Sequence, residues 1–372
     1  MVDIADGRHF KNPWLSDCAP QLSANEEWKK DLALSLVKLV TILTEKLSSL
    51  TTSDISMYTG LSGIGLFYHR LCSVDRQFID NSVRSVALSQ SQKITRRCLR
   101  HLDLDRLYKN VSVFTSSIGA LCLGALVDDP EHGDVRMTVD KCFEQIISAS
   151  KFAAKADSAM PDEALYGRTG YLCALLALSS ARRDVPVDIV SSVVRVIIQS
   201  GKDTAKRYQS EGVYRSLMLH SKRSDLAMPP LMFEWHEKAY LGGAHGFAGI
   251  LLTLVKVRQI YPEALSAEVM DDLVIPTIHW MGELQMDSGN WPSSLGSGLD
   301  RDVLVHWCHG ATGVVPLMLA AYQVSTDFGI HVHSAEQPMI RFPRCFSCSC
   351  IQLPLFPKKY TRCVLNSLNC YC

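Results

Sequence analysis

The sequence predicts an all-α protein, because apolar residues recur at helical spacing and alternating strand patterns are scarce. The clearest stretch begins at Trp28, where leucines at positions 32, 36, 39, 43 and 47 return every three or four residues. Two later apolar stretches, 189–198 and 247–260, are also expected to be helical, although the first is rich in valine. A repeated glycine pattern supports the same fold class.

A glycine pair three residues apart, followed by an apolar run, occurs four times. The pairs begin at Gly60, Gly167, Gly246 and Gly310, and a degraded copy, Ser116-Ser-Ile-Gly119, follows the first. The copies lie about fifty to eighty residues apart, which is room for one helical hairpin each. Isolated pairs of this kind also arise by chance, but four in similar contexts favour a repeat. Because glycine lets backbones approach closely, we expect each copy to begin a helix and the preceding loops to meet at one rim.

The charges balance, because the sequence contains 38 Lys and Arg and 38 Asp and Glu, and the formal net charge is zero. This balance argues against a nucleic-acid binder, for which a basic patch and a high pI are expected, and against an anionic-membrane binder, which needs clustered Lys and Arg. No apolar core follows a basic start in residues 1–20, so a secretory signal is not expected. The longest apolar run, 313–324, is too short to span a bilayer. We predict a cytoplasmic protein without a transmembrane segment, which leaves peripheral membrane association open.

Polar and ionisable residues gather at three repeat positions where a packed scaffold would carry apolar side chains, in the segments 162–171, 230–246 and 300–314. Cys308 and His309 are adjacent and offer a thiolate and an imidazole to zinc, although a single cysteine is often inert core. His245 suits acid–base chemistry or a structural hydrogen bond. Glu163 suits either a partner for such a histidine or a cap for a helix N-terminus.

The motifs in these segments resemble those of the LanC-like proteins, eukaryotic relatives of bacterial lanthionine cyclases. Trp307-Cys-His-Gly-Ala-Thr-Gly313 is similar to the family's WCHGAPG, and Tyr240-Leu-Gly-Gly-Ala-His-Gly246 is similar to its Y-[LV]-GAAHG. Leu165-Tyr-Gly-Arg-Thr-Gly-Tyr171 resembles LYGRxGY, and Asn290-Trp-Pro292 resembles N-[FY]-P. The start, Arg8-His-Phe-Lys-Asn-Pro-Trp14, is similar to that of the animal members. The resemblance covers roughly residues 8–324.

The resemblance implies an (α/α) toroid of helical hairpins, of which the family has seven and this chain about five. The glycine loops would line a central cavity that holds zinc, bound in the family by two cysteines and one histidine. The fourth zinc position would take a substrate thiol. The implied chemistry is the addition of that zinc-activated thiol, from glutathione in animal members, to dehydroamino acids in peptides or proteins.

Carried over residue by residue, the resemblance assigns a role to five positions. Cys308 would be the first zinc ligand, and His309 would lie beside the metal as a catalytic residue. His245 would donate or accept the proton of the enolate, with Glu163 as its partner. Arg8 would contact glutathione.

The chain departs from the family pattern after Gly313. The second Cys-His-Gly motif, which supplies two zinc ligands in the family, does not appear, so we expect an incomplete zinc site and impaired activity. Six of the 13 cysteines lie between positions 345 and 372, among prolines and without a helical period. We predict an N-terminal arm at 1–22, a toroid at 23–324, and a poorly ordered, atypical tail at 325–372. In the alternative reading, His331, His333 or a tail cysteine completes the zinc site.

Two functions from different classes follow from these observations. The first is a zinc-dependent, glutathione-binding enzyme that acts on dehydrated peptides or proteins. The second is a non-catalytic scaffold that binds glutathione or a partner. A helical toroid of the glycosidase type needs two positioned carboxylates, and only Glu163 lies in a motif.

Overall fold

The computed structural model describes residues 27–297 and 302–327, apart from positions 77, 130–136, 157 and 222. Within this part the chain is helical, and its β-structure is limited to two isolated bridges, Trp235 with Lys238 and Tyr240 with Ser294. None of the described helices combines the length and hydropathy needed to cross a bilayer. The predicted arm lies outside the described residues, as does the predicted tail beyond Asp327.

Along the chain, the helices that begin at the glycine repeats are separated by one or two other helices. Those of the first half are α1 (Glu27–Ser48), α2 (Leu61–Leu71), α3 (Asn81–Leu99), α4 (Ser117–Leu126), α5 (Val139–Ser148), α6 (Ser150–Ala153) and α7 (Arg168–Ser180). Those of the second half are α8 (Val187–Ser210), α9 (Val213–His220), α10 (Phe247–Ile260), α11 (Ala267–Val269), α12 (Ile275–Glu283) and α13 (Ala311–Asp327). A π-helical turn, Met270–Val274, joins α11 to α12.

Each copy of the glycine repeat begins an inner helix, as predicted. These helices are α2, α4, α7, α10 and α13 within the described residues, and each packs against the next in chain order. Outer helices lie behind them, with α3 against α2 and α4, α5 against α4, α8 against α7, and α12 against α13. The expected all-α toroid with about five hairpins is confirmed, and the segments 189–198 and 247–260 lie in α8 and α10.

The second glycine of every copy lies directly against a backbone carbonyl oxygen six residues earlier. A Cβ at these positions would come within 2.1–2.4 Å of that oxygen, at Gly63, Gly119, Gly170, Gly249 and Gly313. No side chain can occupy such a gap, so the contact requires glycine. The degraded copy fits this rule, since it replaces the first glycine by Ser116 but keeps Gly119.

Each loop also caps the helix that it precedes. The first amide groups of a helix lack intrahelical acceptors. Here they donate to loop carbonyls seven residues earlier, at 2.9–3.0 Å, in the pairs Leu61 to Asp54, Arg168 to Pro161 and Phe247 to Tyr240. In α13 a side chain takes this place, because the Ala311 amide donates to Oδ1 of Asn290 at 2.7 Å.

Backbone hydrogen bonds join each inner loop to the next one. From the first copy to the last, the amides of Tyr58, Val113, Ala164 and Gly243 donate to the carbonyls of Phe114, Gly170, Ala244 and Trp307, at 2.8, 3.2, 3.1 and 2.9 Å. The Trp307 ring also lies 6.0 Å from the rings of Tyr58 and Phe114. The predicted rim of converging loops is therefore confirmed.

The apolar face of α1 differs from the predicted leucine stripe. Val40 is buried and Leu36, Leu43 and Leu47 pack beside it, against α2 and α3. Leu32 and Leu39 are exposed. Both lie on the same flank of the stripe, where the 3.6-residue period turns them away from the neighbouring helices.

We expect Gly170→Ala to lower the free energy of unfolding by about 2 kcal/mol or more, because its Cβ would meet two atoms that cannot easily move. These are the Ala164 carbonyl oxygen and Oγ of Ser112, each 2.1 Å away. Urea unfolding followed by circular dichroism measures the change. The control is Gly212→Asn, at φ +67° with nothing within 4 Å of a Cβ, which should shift stability by less than about 0.5 kcal/mol. Equal losses in both variants would contradict this account of the repeat.

Candidate active site

A buried carboxylate and a half-buried imidazole form a pair where the third and fourth loops meet. Glu163 precedes α7 and His245 precedes α10, and Nδ1 of His245 lies 2.7 Å from Oε2 of Glu163 across 82 residues of sequence. The glutamate side chain is 1% exposed and the histidine side chain is 16% exposed. A carboxylate on Nδ1 fixes the orientation of an imidazole and leaves Nε2 for a substrate.

The carboxylate of Glu163 also fixes the turn that follows it. Oε2 accepts the amide of Leu165 at 2.9 Å, and Oε1 accepts the amide of Tyr166. The sequence left two roles open for this residue, a cap for a helix N-terminus and a partner for a histidine. The geometry shows the histidine partner, whereas the two amides that Glu163 accepts belong to the turn before α7, whose N-cap Gly167 has no side-chain cap.

Aromatic rings restrict the position of His245. The Trp235 ring stacks on the imidazole with a centroid distance of 4.1 Å and an interplanar angle of 10°. Tyr166 lies 5.8 Å from Trp235 and 6.0 Å from His245, nearly parallel to both. Such stacking limits rotation of the imidazole, so its free nitrogen keeps one direction.

The turn that carries Trp235 has unusual backbone geometry. Trp235 and Lys238 exchange two backbone hydrogen bonds, at 3.0 and 3.2 Å. Between them, His236 has φ +47° and Glu237 has φ +58°, the left-handed region that non-glycine residues rarely adopt. Strained turns of this kind persist where the surrounding structure holds them, and they cluster at functional sites.

The neighbouring carboxylate of Glu234 anchors this turn to α8. It accepts the hydroxyl of Tyr208 at 2.7 Å and pairs with Arg207 at 3.1 Å. Because Glu234 directly precedes Trp235 in the chain, both contacts help to hold the indole over His245.

Cys308 and His309 lie in the loop before α13, on the same rim. A turn closes there, because the His306 amide donates to the His309 carbonyl at 2.8 Å. The Tyr240 ring connects the two histidine sites, with its centroid 6.0 Å from the His245 ring and 5.7 Å from the His309 ring. Burial, reinforced by the nearby His245 and His306, holds the pKa of His309 below its usual value. A neutral imidazole can accept a proton or bind a metal.

The donor set here fits zinc only in part. Zinc in proteins takes three or four protein donors, commonly thiolate and imidazole. Cys308 is a half-buried thiol outside any disulfide. Nδ1 of His309 is buried and has no hydrogen-bond partner among the described residues. Over that same part of the chain, however, no three His, Cys, Asp or Glu side chains come together as a metal site. The described residues therefore do not form a complete zinc site, and zinc binding stays a prediction.

Arg168 is a site-forming residue that the sequence analysis did not single out. Its guanidinium is 4% exposed and pairs with Asp162 at 2.8 Å. It also donates to Ser158, to the carbonyl of Ala153 at the end of α6, and to the carbonyls of Lys155 and Met160 in the loop before α7. These bonds fix the segment that ends at Glu163. The signal in the sequence was a charged residue directly after the first glycine of a repeat, in Gly167-Arg-Thr-Gly170.

Asn290 fixes the loop that carries Cys308, as Arg168 fixes the loop that carries Glu163. Its amide nitrogen donates to Asp302 at 2.7 Å and to the Leu304 carbonyl at 2.9 Å. Its oxygen caps α13 through Ala311. The Asn290-Trp-Pro292 motif thus positions the thiol loop. Arg8, predicted to contact glutathione, lies outside the described residues, and its role stays a prediction.

Comparison with known proteins agrees with the motifs and the fold. Residues 51–337 match the family model described as lanthionine synthetase C-like protein. The chain belongs to that family. It is also similar to the glutathione S-transferase LANCL1 of Danio rerio, with 27% identity over 340 residues. That alignment covers 88% of this chain and 74% of the relative.

We expect Arg168→Lys to lower the free energy of unfolding by about 3 kcal/mol, because one ammonium cannot replace the planar fork that bonds several buried acceptors. Differential scanning calorimetry measures the loss. Arg195→Lys, at an exposed position of α8, is the control and should change stability by less than about 0.5 kcal/mol. Unchanged stability of Arg168→Lys would show that the loop does not depend on the guanidinium.

Proposed function

We propose that this LanC-like protein binds glutathione and adds its thiol to dehydroamino acid residues of a peptide or protein. The observation that carries the proposal is the buried Glu163–His245 pair, held on the same rim as Cys308 and His309. The similarity to a protein named glutathione S-transferase supports glutathione as the thiol. Membership of the lanthionine synthetase C-like family supports the acceptor.

The reaction needs a proton carrier and no oxidant. The thiol sulfur bonds to Cβ of the dehydroamino acid, the π bond between Cα and Cβ breaks, and its electron pair moves into an enolate. The proton that leaves sulfur ends on Cα. In this scheme Nε2 of His245 takes or gives that proton, while Glu163 on Nδ1 stabilises the imidazolium.

We also propose Cys308 and His309 as two zinc ligands, with further donors from outside the described residues. Bound zinc would lower the pKa of a coordinated thiol, so that thiolate forms at neutral pH. With only two donors described, we expect activity below that of a family member with a complete donor set.

His245→Ala should reduce the rate of glutathione addition about 100-fold or more, because a positioned general acid–base group contributes at least that much. The assay follows a dehydroalanine peptide by mass spectrometry as it gains one glutathione. Glu163→Gln should reduce the rate less, since it keeps a hydrogen bond but loses the charge. His101→Ala, an exposed histidine outside the site, is the matched control. Full activity of His245→Ala would refute the proposed acid–base role.

Zinc content tests the second part of the proposal. About one zinc per chain, measured by plasma mass spectrometry on the full chain, is expected if outside donors complete the site. Cys308→Ala should lose that zinc, whereas Cys72→Ala, a half-buried thiol in another part of the fold, should keep it. Equal zinc in both variants would show that Cys308 is not a ligand.

The partial donor set favours a second candidate function, a scaffold that binds glutathione or a partner without chemistry. Calorimetric titration with glutathione separates the two candidates. The scaffold predicts binding without turnover, and binding that His245→Ala does not weaken. A catalytic rate that collapses in His245→Ala excludes it.

A further inference from the structure

An apolar cavity of about 450 Å³ lies between the inner helices beneath the rim. Phe114 and Trp307 line it at the loop end, Leu252 of α10 lines one side, and Val315, Pro316 and Leu319 of α13 line another. The volume lies within the range of about 300–1,000 Å³ that is usual for ligand pockets. The cavity therefore has the size of a binding site.

The loops that carry the candidate active site also contribute residues to the cavity lining. Three loop residues of its lining are near neighbours of site residues in the chain: Ala164 follows Glu163, Gly243 precedes His245 by two, and Trp307 precedes Cys308. The lining then continues down α10 through Gly249 and Leu252, and down α13 through Thr312, Val315 and Leu319. These intervals of three and four residues keep each series on one helix face.

The cavity offers its ligand almost no polar partner. Among the described residues, no charged side chain lines it. The hydroxyls of its two threonines already donate to the backbone, Thr253 to Gly249 at 2.9 Å and Thr312 to Val305 at 3.0 Å. A polar ligand would lose its hydrogen bonds to water there without replacement, whereas an apolar group gains by leaving water.

We infer that this cavity is a specificity pocket for an apolar side chain of the peptide substrate, close to the dehydrated residue that reacts. The inference rests on the proposed function, which requires two substrates at the rim. Glutathione carries charged and amide groups and no large apolar side chain, so it does not match the cavity. The peptide is the substrate that can place such a side chain there.

The test compares two dehydroalanine peptides that differ at one flanking position, leucine in one and aspartate in the other. We expect kcat/KM for glutathione addition to be about tenfold or more higher for the leucine peptide, as for other hydrophobic pockets. Leu319→Trp, which fills the cavity from a residue that is 39% exposed, should lower kcat/KM for the leucine peptide and so remove most of that preference. Leu219→Trp, at a leucine 58% exposed on α9, is the matched control and should keep the preference.

Equal kcat/KM for the two peptides, or a preference that survives Leu319→Trp, would overturn the inference. If neither peptide gains glutathione, the proposed reaction is wrong. A binding measurement then tests the pocket by itself. For this test, alanine replaces dehydroalanine in both peptides so that neither can react. The leucine peptide should displace a neutral naphthylamine dye bound to the full chain, and the aspartate peptide should displace less of it. Leu319→Trp should abolish this difference in displacement. Equal displacement by both peptides in the unmodified chain would reject the pocket independently of any chemistry.

Discussion

The close contact between a glycine and a carbonyl oxygen six residues earlier determines the geometry of the whole rim. It folds each loop back onto the start of its own inner helix, where loop carbonyls, the Ser116 hydroxyl or Asn290 accept from the first amides. The remaining loop groups then bond to the next loop along the rim. Glu163, His245 and Cys308 all lie within four residues before the first glycine of a copy. Their positions are therefore fixed by the helix starts, and the site forms where five helix starts meet.

Much of this arrangement could be predicted because its causes are local in sequence. The glycine copies mark the helix starts, and apolar periodicity gave the full extent of α10 as Phe247–Ile260. The partnership of Glu163 with His245 is different, because 82 residues separate them. The residue types left that pairing open as one of two roles for Glu163, and the family resemblance favoured it. The prediction of a leucine stripe on α1 was only partly right. Periodicity identifies the apolar face of a helix, but it does not show how much of that face the neighbouring helices cover.

The aromatic support of His245 had no comparable signal. A turn with left-handed residues normally contains glycine or asparagine, yet His236 and Glu237 occupy it here. Only tertiary contacts explain this, because Glu234 is held by Arg207 and Tyr208 from a distant part of α8. Arg168 was missed for a similar reason. A buried guanidinium is stable only when several acceptors converge on it, and that convergence exists only in the folded loop.

The two halves of the candidate chemistry depend on different parts of the chain. Every contact described for the Glu163–His245 pair comes from the third and fourth loops and from residues that support them, including Arg168 and Trp235. Cys308 and His309 belong to the fifth loop, and the sequence departs from the family pattern just after it, beyond Gly313. On the proposed chemistry, the absence of a second Cys-His-Gly motif from this sequence would leave the Glu163–His245 pair with its contacts and would remove donors only from the thiol-binding half. On that proposal we expect proton transfer and acceptor binding to persist while thiol activation becomes the limiting step.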